Sequence, residues 1–297
     1  MAIFPRKRLF PTDTEEQRAA RGRQDIIEAS FTLGEEAAQA VTDYFGDSIN
    51  ELECEKISFP YLLLGKKTYA AKVYETPQGA PKLDVKGLAV VRRDTCEFAA
   101  DVLRDTLDAL VMKGSVDSAR EVVAKALGDL VDGRVPFEKF VLSKRLSGTY
   151  ASENLVQVAV VKKMEGRAPG SAPKSGDRIQ FVYVDNKDNK AKAFEKAEDA
   201  TYAREMGLKI DRKHYLTQTL VLPVCQLFEA FDPEPKAMFR NAIQELDRQQ
   251  QGQPTIFAMM GQSERSWNDP PKTNPRISSD EGQRKQKKQR LAQTTLF

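Results

Sequence analysis

The stretch from Ile57 to Tyr74 constrains the fold of this chain most. Ile57 to Leu64 is apolar and aromatic, Gly65 follows, and Thr68 to Tyr74 carries Tyr, Ala and Val, which predicts two antiparallel strands around a tight connection. A period of two then places Lys67 and Tyr69 on one face of the second strand. An ammonium and a phenol hydroxyl held side by side can both donate to phosphate or sugar oxygens, which positions a duplex without reading its sequence. Lys66 and Lys67 at the connection, and Arg92 and Arg93 beyond the strands, therefore form a candidate phosphate grip. The alternative is a solvated basic hairpin, since Lys-Lys pairs at turns are ordinary solubilising features.

Four regions follow from a pass along the chain. Residues 1–29 are rich in Arg, Glu and Gln with little periodicity, and are expected to be poorly ordered or loosely attached. Residues 30–94 open with a predicted helix from Gly34 to Phe45, which carries Ala37, Ala38, Val41 and Phe45 at helical spacing ahead of the strands. Helix and sheet would pack as two layers. Within 95–250, two amphipathic helices are predicted, Cys96 to Met112 and Val116 to Val131, the second ending at Asp132-Gly133-Arg134. A short strand at Phe140–Lys144, a helix at Val158–Met164, a Pro-, Gly- and Ser-rich loop from Gly166 to Gly176 and a strand at Ile179–Val184 follow. Helices return near Ala200–Met206, Tyr215–Phe228 and Pro235–Gln250. Residues 251–297 change character: from Glu264 on there are eight basic and four acidic residues with repeated Pro, Ser, Asn and Gln, a composition that predicts disorder.

Composition excludes several classes. Hydrophobic residues make up 40% of the 297, enough for a core, and the net charge of +3 is modest, so nucleic-acid binding has to rest on local clusters. Cys54, Cys96 and Cys225 are too few and too widely spaced for a disulfide framework or a paired zinc site, which points to a reducing, intracellular setting. No apolar run reaches membrane-spanning length, and the N-terminal residues lack the apolar core of a signal peptide. The single histidine, His214, leaves little room for His-based hydrolase constellations, and Gly-rich phosphate loops are absent.

The order of segments carries a family resemblance. Leu52-Glu53-Cys54-Glu55-Lys56, Phe59-Pro60-Tyr61-Leu62-Leu63-Leu64, Gly65-Lys66-Lys67-Thr68-Tyr69-Ala70, Asp84-Val85-Lys86-Gly87-Leu88 and Val91-Arg92-Arg93-Asp94-Thr95-Cys96 follow one another. This resembles the family B DNA polymerases, delta-type and viral members included, in the part of the palm after the catalytic Asp-Thr-Asp turn. Gly176-Asp177-Arg178-Ile179-Gln180-Phe181-Val182 and Ile210-Asp211-Arg212-Lys213-His214-Tyr215-Leu216 look like the thumb of that family. Coverage runs from about Leu33 to about Phe231. The resemblance implies an α+β fold: the end of a palm subdomain, antiparallel strands with a packed helix, then a mostly helical thumb subdomain and a disordered tail. It implies DNA contacts from Lys66, Lys67, Tyr69, Lys86, Arg92, Arg93 and Lys144, and a place for Glu55 near the metal and triphosphate.

The same resemblance sets what is expected to be missing. Nucleotidyl transfer uses two divalent ions held by carboxylates. No Asp-x-Asp occurs in the sequence, and the nearest approach, Asp13-Thr14-Glu15, reads as coincidence or decay. Magnesium is expected only in a complete polymerase, and the cysteine-rich modules that follow the thumb in eukaryotic replicative members have no counterpart, so neither zinc nor an iron–sulfur cluster is expected. The expected partners are primer–template DNA, an N-terminal polymerase fragment and a sliding clamp, with no membrane; the compartment would be the nucleus or a viral replication site, or an archaeal cytoplasm. Gln293, Leu296 and Phe297 resemble the clamp-binding peptide, flanked by the basic run Arg284–Arg290, and Gln253–Phe257 has the same spacing. Two readings stay open: the C-terminal part of a DNA-directed DNA polymerase, inactive without its missing parts, or a non-catalytic DNA- or clamp-binding protein descended from one.

Overall fold

The computed structural model describes residues 6–46, 51–150, 152, 154–170, 172–186 and 191–251. They form a mixed fold of helices and antiparallel strands in two compact units, the first ending at Lys86 and the second beginning at Gly87.

In the first unit, short helices α1 (Arg6–Leu9) and α2 (Glu15–Ala20) lead into the long α3 (Arg23–Phe45). Helix α3 starts well before the predicted Gly34, because the apolar stripe begins earlier: Ile26, Ile27, Ser30, Phe31, Gly34 and Ala38 recur at three and four and are all buried. Residues 6–22 are likewise folded rather than loose. Thr14 and Gln17 make a reciprocal capping box on α2, Arg6 donates to the Arg18 carbonyl at 3.0 Å, and Arg21 pairs with Asp13 at 2.9 Å. Polar ties of this kind leave no hydrophobic period for a sequence reading to find.

Strands β1 (Ile57–Gly65), β2 (Thr68–Tyr74) and β3 (Lys82–Lys86) form an antiparallel sheet in that order. Ile57 and Tyr74 pair across the sheet and pack with Ile27 and Phe31 of α3, with Phe59 and Cys54 alongside. Helix and sheet approach closely at Gly34, where a β-carbon would lie 2.5 Å from Cys54 Sγ. A larger residue there requires the Cys54 thiol to turn away.

The second unit opens with a turn of 3₁₀ helix at Ala89–Val91, then α4 (Glu97–Leu107) and α5 (Val116–Val131). These two helices pack on each other, and each buries an apolar stripe, Phe98, Val102, Leu103 and Leu107 on α4 and Ala119, Val123, Leu127 and Leu130 on α5. Between them Asp108–Lys113 continues as a π-helical turn closed by Gly114 at φ 72°. A second sheet is built from β4 (Leu142–Arg145), β5 (Arg178–Tyr183) and β6 (Ala197–Asp199), all antiparallel. Helices α6 (Val156–Arg167) and α8 (Ala200–Glu205) pack on it, with the one-turn α7 (Ala193–Lys196) against α6; after α9 (Arg212–His214), α10 (Val221–Phe228) packs on α4, and α11 (Arg240–Gln250) packs on α5 and α9. β3 and β6 lie where the sequence reading placed no strand. β3 alternates Lys, Leu, Asp, Val, Lys with no fully buried position, and β6 has three residues, so neither offers a strong apolar period.

Tyr215 centres this unit. It is fully buried, its hydroxyl donates to the Phe140 carbonyl at 2.7 Å and accepts from the Tyr183 amide at 3.0 Å. Burial pushes its phenol far above the ordinary range. His214 lies against the Tyr183 ring with centroids 4.0 Å apart, and burial lowers its pKa.

Candidate nucleic-acid interface

The hairpin turn sets the first part of the site. Gly65 pairs with Thr68, so Lys66 and Lys67 alone make the turn, and a register shift between Leu63 and Gly65 marks a bulge beside it. Lys67 takes φ 61°. A non-glycine residue in that region costs about 1 kcal/mol, and strain of this kind concentrates at functional positions. The expected sharing of a strand face by Lys67 and Tyr69 is corrected here: Lys67 belongs to the turn, where the period of two does not apply. Both lysines are exposed.

Tyr69 lies in β2, directly opposite Lys86 of β3 and Leu63 of β1. Paired residues share a face, so Tyr69 and Lys86 stand side by side, with Tyr61 and Asp84 one step along the same face, where both pair with Ala71. The Tyr61 and Tyr69 rings stack with centroids 5.0 Å apart at 24°. The Tyr69 hydroxyl donates to Asp84 Oδ2 at 3.2 Å. Burial and then the Asp84 carboxylate push both phenols up. Glu55 is exposed in the irregular segment ahead of β1.

In the second unit, Arg92 and Arg93 are exposed at the turn ahead of α4. The Arg92 guanidinium is committed to Asp94 through two bonds, Nε to Oδ1 at 3.0 Å and Nη2 to Oδ2 at 2.9 Å. That fork holds the Asp94 carboxyl below its usual value, with a small further contribution from the charge of Lys144. Lys144 is half-buried and shares the β4–β5 face of Leu142, Ile179 and Phe181. The opposite face carries Arg145 across from Arg178. Arg178 donates to Ser143 Oγ at 2.9 Å and to its carbonyl at 2.8 Å, while Arg145 donates to the Gly176 carbonyl at 3.1 Å. The sequence reading did not single out this arginine pair as a site, although strict alternation along 142–145 marks Arg145 as facing away from Lys144.

Among the described residues no group of three or more His, Cys, Asp or Glu side chains is placed to hold a metal ion. The donor set for the magnesium pair of a polymerase is therefore not assembled by these residues. Gln293, Leu296, Phe297, the basic run before them and Gln253–Phe257 lie outside the described residues. No helix among the described residues is long and apolar enough to cross a membrane.

Comparison with known proteins matches this arrangement to a family. The model of DNA polymerase family B matches residues 21–231. The DNA polymerase delta catalytic subunit of Candida albicans is 37% identical over 216 residues, which are 73% of this chain and 20% of that protein. The DNA polymerase of Paramecium bursaria Chlorella virus NY2A is 36% identical over 211 residues, 71% of this chain and 23% of the relative. The family B DNA polymerase of Pyrobaculum calidifontis shares the fold over 66% of this chain and 24% of its own, with a TM-score of 0.50 and 19% identity. The chain thus spans about a fifth of the length of the curated relatives it matches. With the matched stretch running from the start of α3 through α10, the chain belongs to DNA polymerase family B.

Proposed function

We propose that this chain is the palm end and thumb of a DNA-directed DNA polymerase, and that it grips primer–template duplex during replication while other parts of the enzyme supply the chemistry. One observation carries the reading: Lys66, Lys67, Tyr69 and Lys86 gather at one end of a single sheet, beside a strained turn, in a stretch that matches the family. A sheet bearing donors at one end suits phosphate contacts, which fix register on a duplex without reading bases. Glu55 is assigned to the approach of the metal-bound triphosphate.

The grip is tested by duplex binding. Lys67→Ala weakens binding to primer–template about equally across sequences, and the slope of log affinity against log salt becomes shallower by about 0.9 for each phosphate the variant no longer neutralises. Tyr69→Ala weakens binding with little change in slope, since a neutral hydroxyl releases no counterion. Unchanged duplex affinity at low salt in the Lys67→Ala, Tyr69→Ala double variant removes the reading.

The tail is assigned to a sliding clamp. Gln293 and Leu296 have the spacing of a clamp-binding peptide, and Leu296 and Phe297 supply apolar anchors behind a basic run. Truncation after Arg290 abolishes association with a cognate clamp and leaves duplex binding nearly intact. Full clamp association by the truncated chain overturns the assignment.

A further inference from the structure

Asp84 is a surprising neighbour for a phosphate grip. It puts a carboxylate on the face that carries Tyr69 and Lys86, where a nucleic-acid backbone would bring more negative charge. The Tyr69 hydroxyl has one proton, and in this structure it is donated to Asp84 Oδ2 at 3.2 Å. Phosphate oxygens only accept hydrogen bonds. The same hydroxyl therefore serves either Asp84 or a phosphate, not both.

The geometry favours an easy exchange. The bond is long beside the ordinary 2.7–2.8 Å of an O–H···O contact, and both side chains are half-buried, so little is lost when it opens. Tyr61, stacked 5.0 Å away at 24°, fixes the plane of the Tyr69 ring. Redirecting the bond then requires rotation of the hydroxyl hydrogen about its C–O bond, while the ring stays in place. Lys86, directly across the ladder from Tyr69, supplies a positive charge to offset an incoming phosphate.

We propose that Asp84 is an internal competitor for the Tyr69 hydroxyl proton, occupying in the DNA-free chain the acceptor role that a backbone phosphate takes over on binding. This rests on the duplex-grip reading above. Its consequence is a grip that releases readily, because each departing phosphate is replaced by an acceptor already in position. A surface that must let the duplex advance gains from such a substitution.

The test is a double-mutant cycle on the intact chain, read as anisotropy of a labelled primer–template duplex at one fixed low salt concentration, with folding checked by circular dichroism. Asp84→Ala is expected to tighten binding. More specifically, Tyr69→Phe is expected to cost little while Asp84 is present, and roughly fivefold in affinity once Asp84 is replaced by Ala. Asp84→Asn, nearly isosteric and still an acceptor, should show the tightening with a smaller rise in the cost of Tyr69→Phe, and it carries the test if Asp84→Ala fails to fold. An equal cost of Tyr69→Phe in both backgrounds overturns the proposal, since Asp84 would then act through charge alone. Weaker binding on Asp84 replacement overturns it too, by making Asp84 a support for Tyr69. If Lys67→Ala weakens binding and the cycle shows no coupling, the grip stands and only the competitor falls; a chain that binds no duplex loses both.

Discussion

Supplied with magnesium, deoxynucleotides and a primed template, the purified 297-residue chain incorporates no nucleotide above background. The reason is a shortage of ligands. Two divalent ions a few ångströms apart must activate the primer hydroxyl and stabilise the leaving pyrophosphate, and separate aspartates normally hold them. The sequence contains no Asp-x-Asp, and Asp13 of the nearest approach is engaged elsewhere, accepting both Nε and Nη2 of Arg21 at 2.9 and 3.2 Å. That pair also holds the Asp13 carboxyl below its usual value, with the Arg21 hydrogen bond as the largest cause. Single-turnover primer extension, resolved to one added nucleotide, measures the outcome. Adding a polypeptide that supplies the fingers and the Asp-Thr-Asp turn of a cognate polymerase should restore extension, and Lys67→Ala should reduce the restored activity. Robust extension by the chain alone overturns the prediction, whereas failure of complementation with a cognate fragment favours a non-catalytic DNA-binding role.

What could be read from the sequence followed the strength of the local signal. The pair β1 and β2 was legible because apolar runs flank a glycine, and α4 and α5 because their stripes repeat at three and four over three or more turns. Helix α3 was placed late because its polar positions Arg23, Gln24, Asp25 and Glu28 mask the first two isoleucines. Tyr69 and Lys86 were both singled out, but their direct pairing depends on the register of β3, which no local pattern announces. Lys67 was put on the wrong element for the opposite reason: a strand period was extended through a turn whose backbone turns left-handed at that residue. The Arg92–Asp94 fork joins residues two apart at a turn and takes Arg92 out of the free cations that the sequence reading counted.

Replacing Asp211 by Ala should cost the second unit about 3–5 kcal/mol of stability, the range for removing one partner of a buried ion pair. The side chain is 1% exposed and joins three elements. Its Oδ2 accepts from Lys196 Nζ at 2.7 Å at the end of α7, while Oδ1 accepts from the His214 amide at 2.9 Å, capping α9, and from Gln250 Nε2 at 3.2 Å on α11. The Asp211 backbone amide in turn donates to the Tyr183 carbonyl of β5 at 2.9 Å. Loss of the carboxylate leaves Lys196, itself only 15% exposed, with an uncompensated charge in a poorly hydrated place. It also removes a helix cap, for which about 1 kcal/mol is typical. Asp211→Asn retains an acceptor for the cap and loses the charge pairing, so its cost should fall between that of Ala and zero. Lys196→Met in the Asp211→Ala background should recover part of the loss, because a buried charge without a partner is worse than an apolar side chain of similar size. Urea unfolding followed by far-ultraviolet circular dichroism reads all four proteins. A loss below about 1 kcal/mol for Asp211→Ala, the scale of an exposed ion pair, or a double variant no more stable than Asp211→Ala, would show that Asp211 does not hold these elements together.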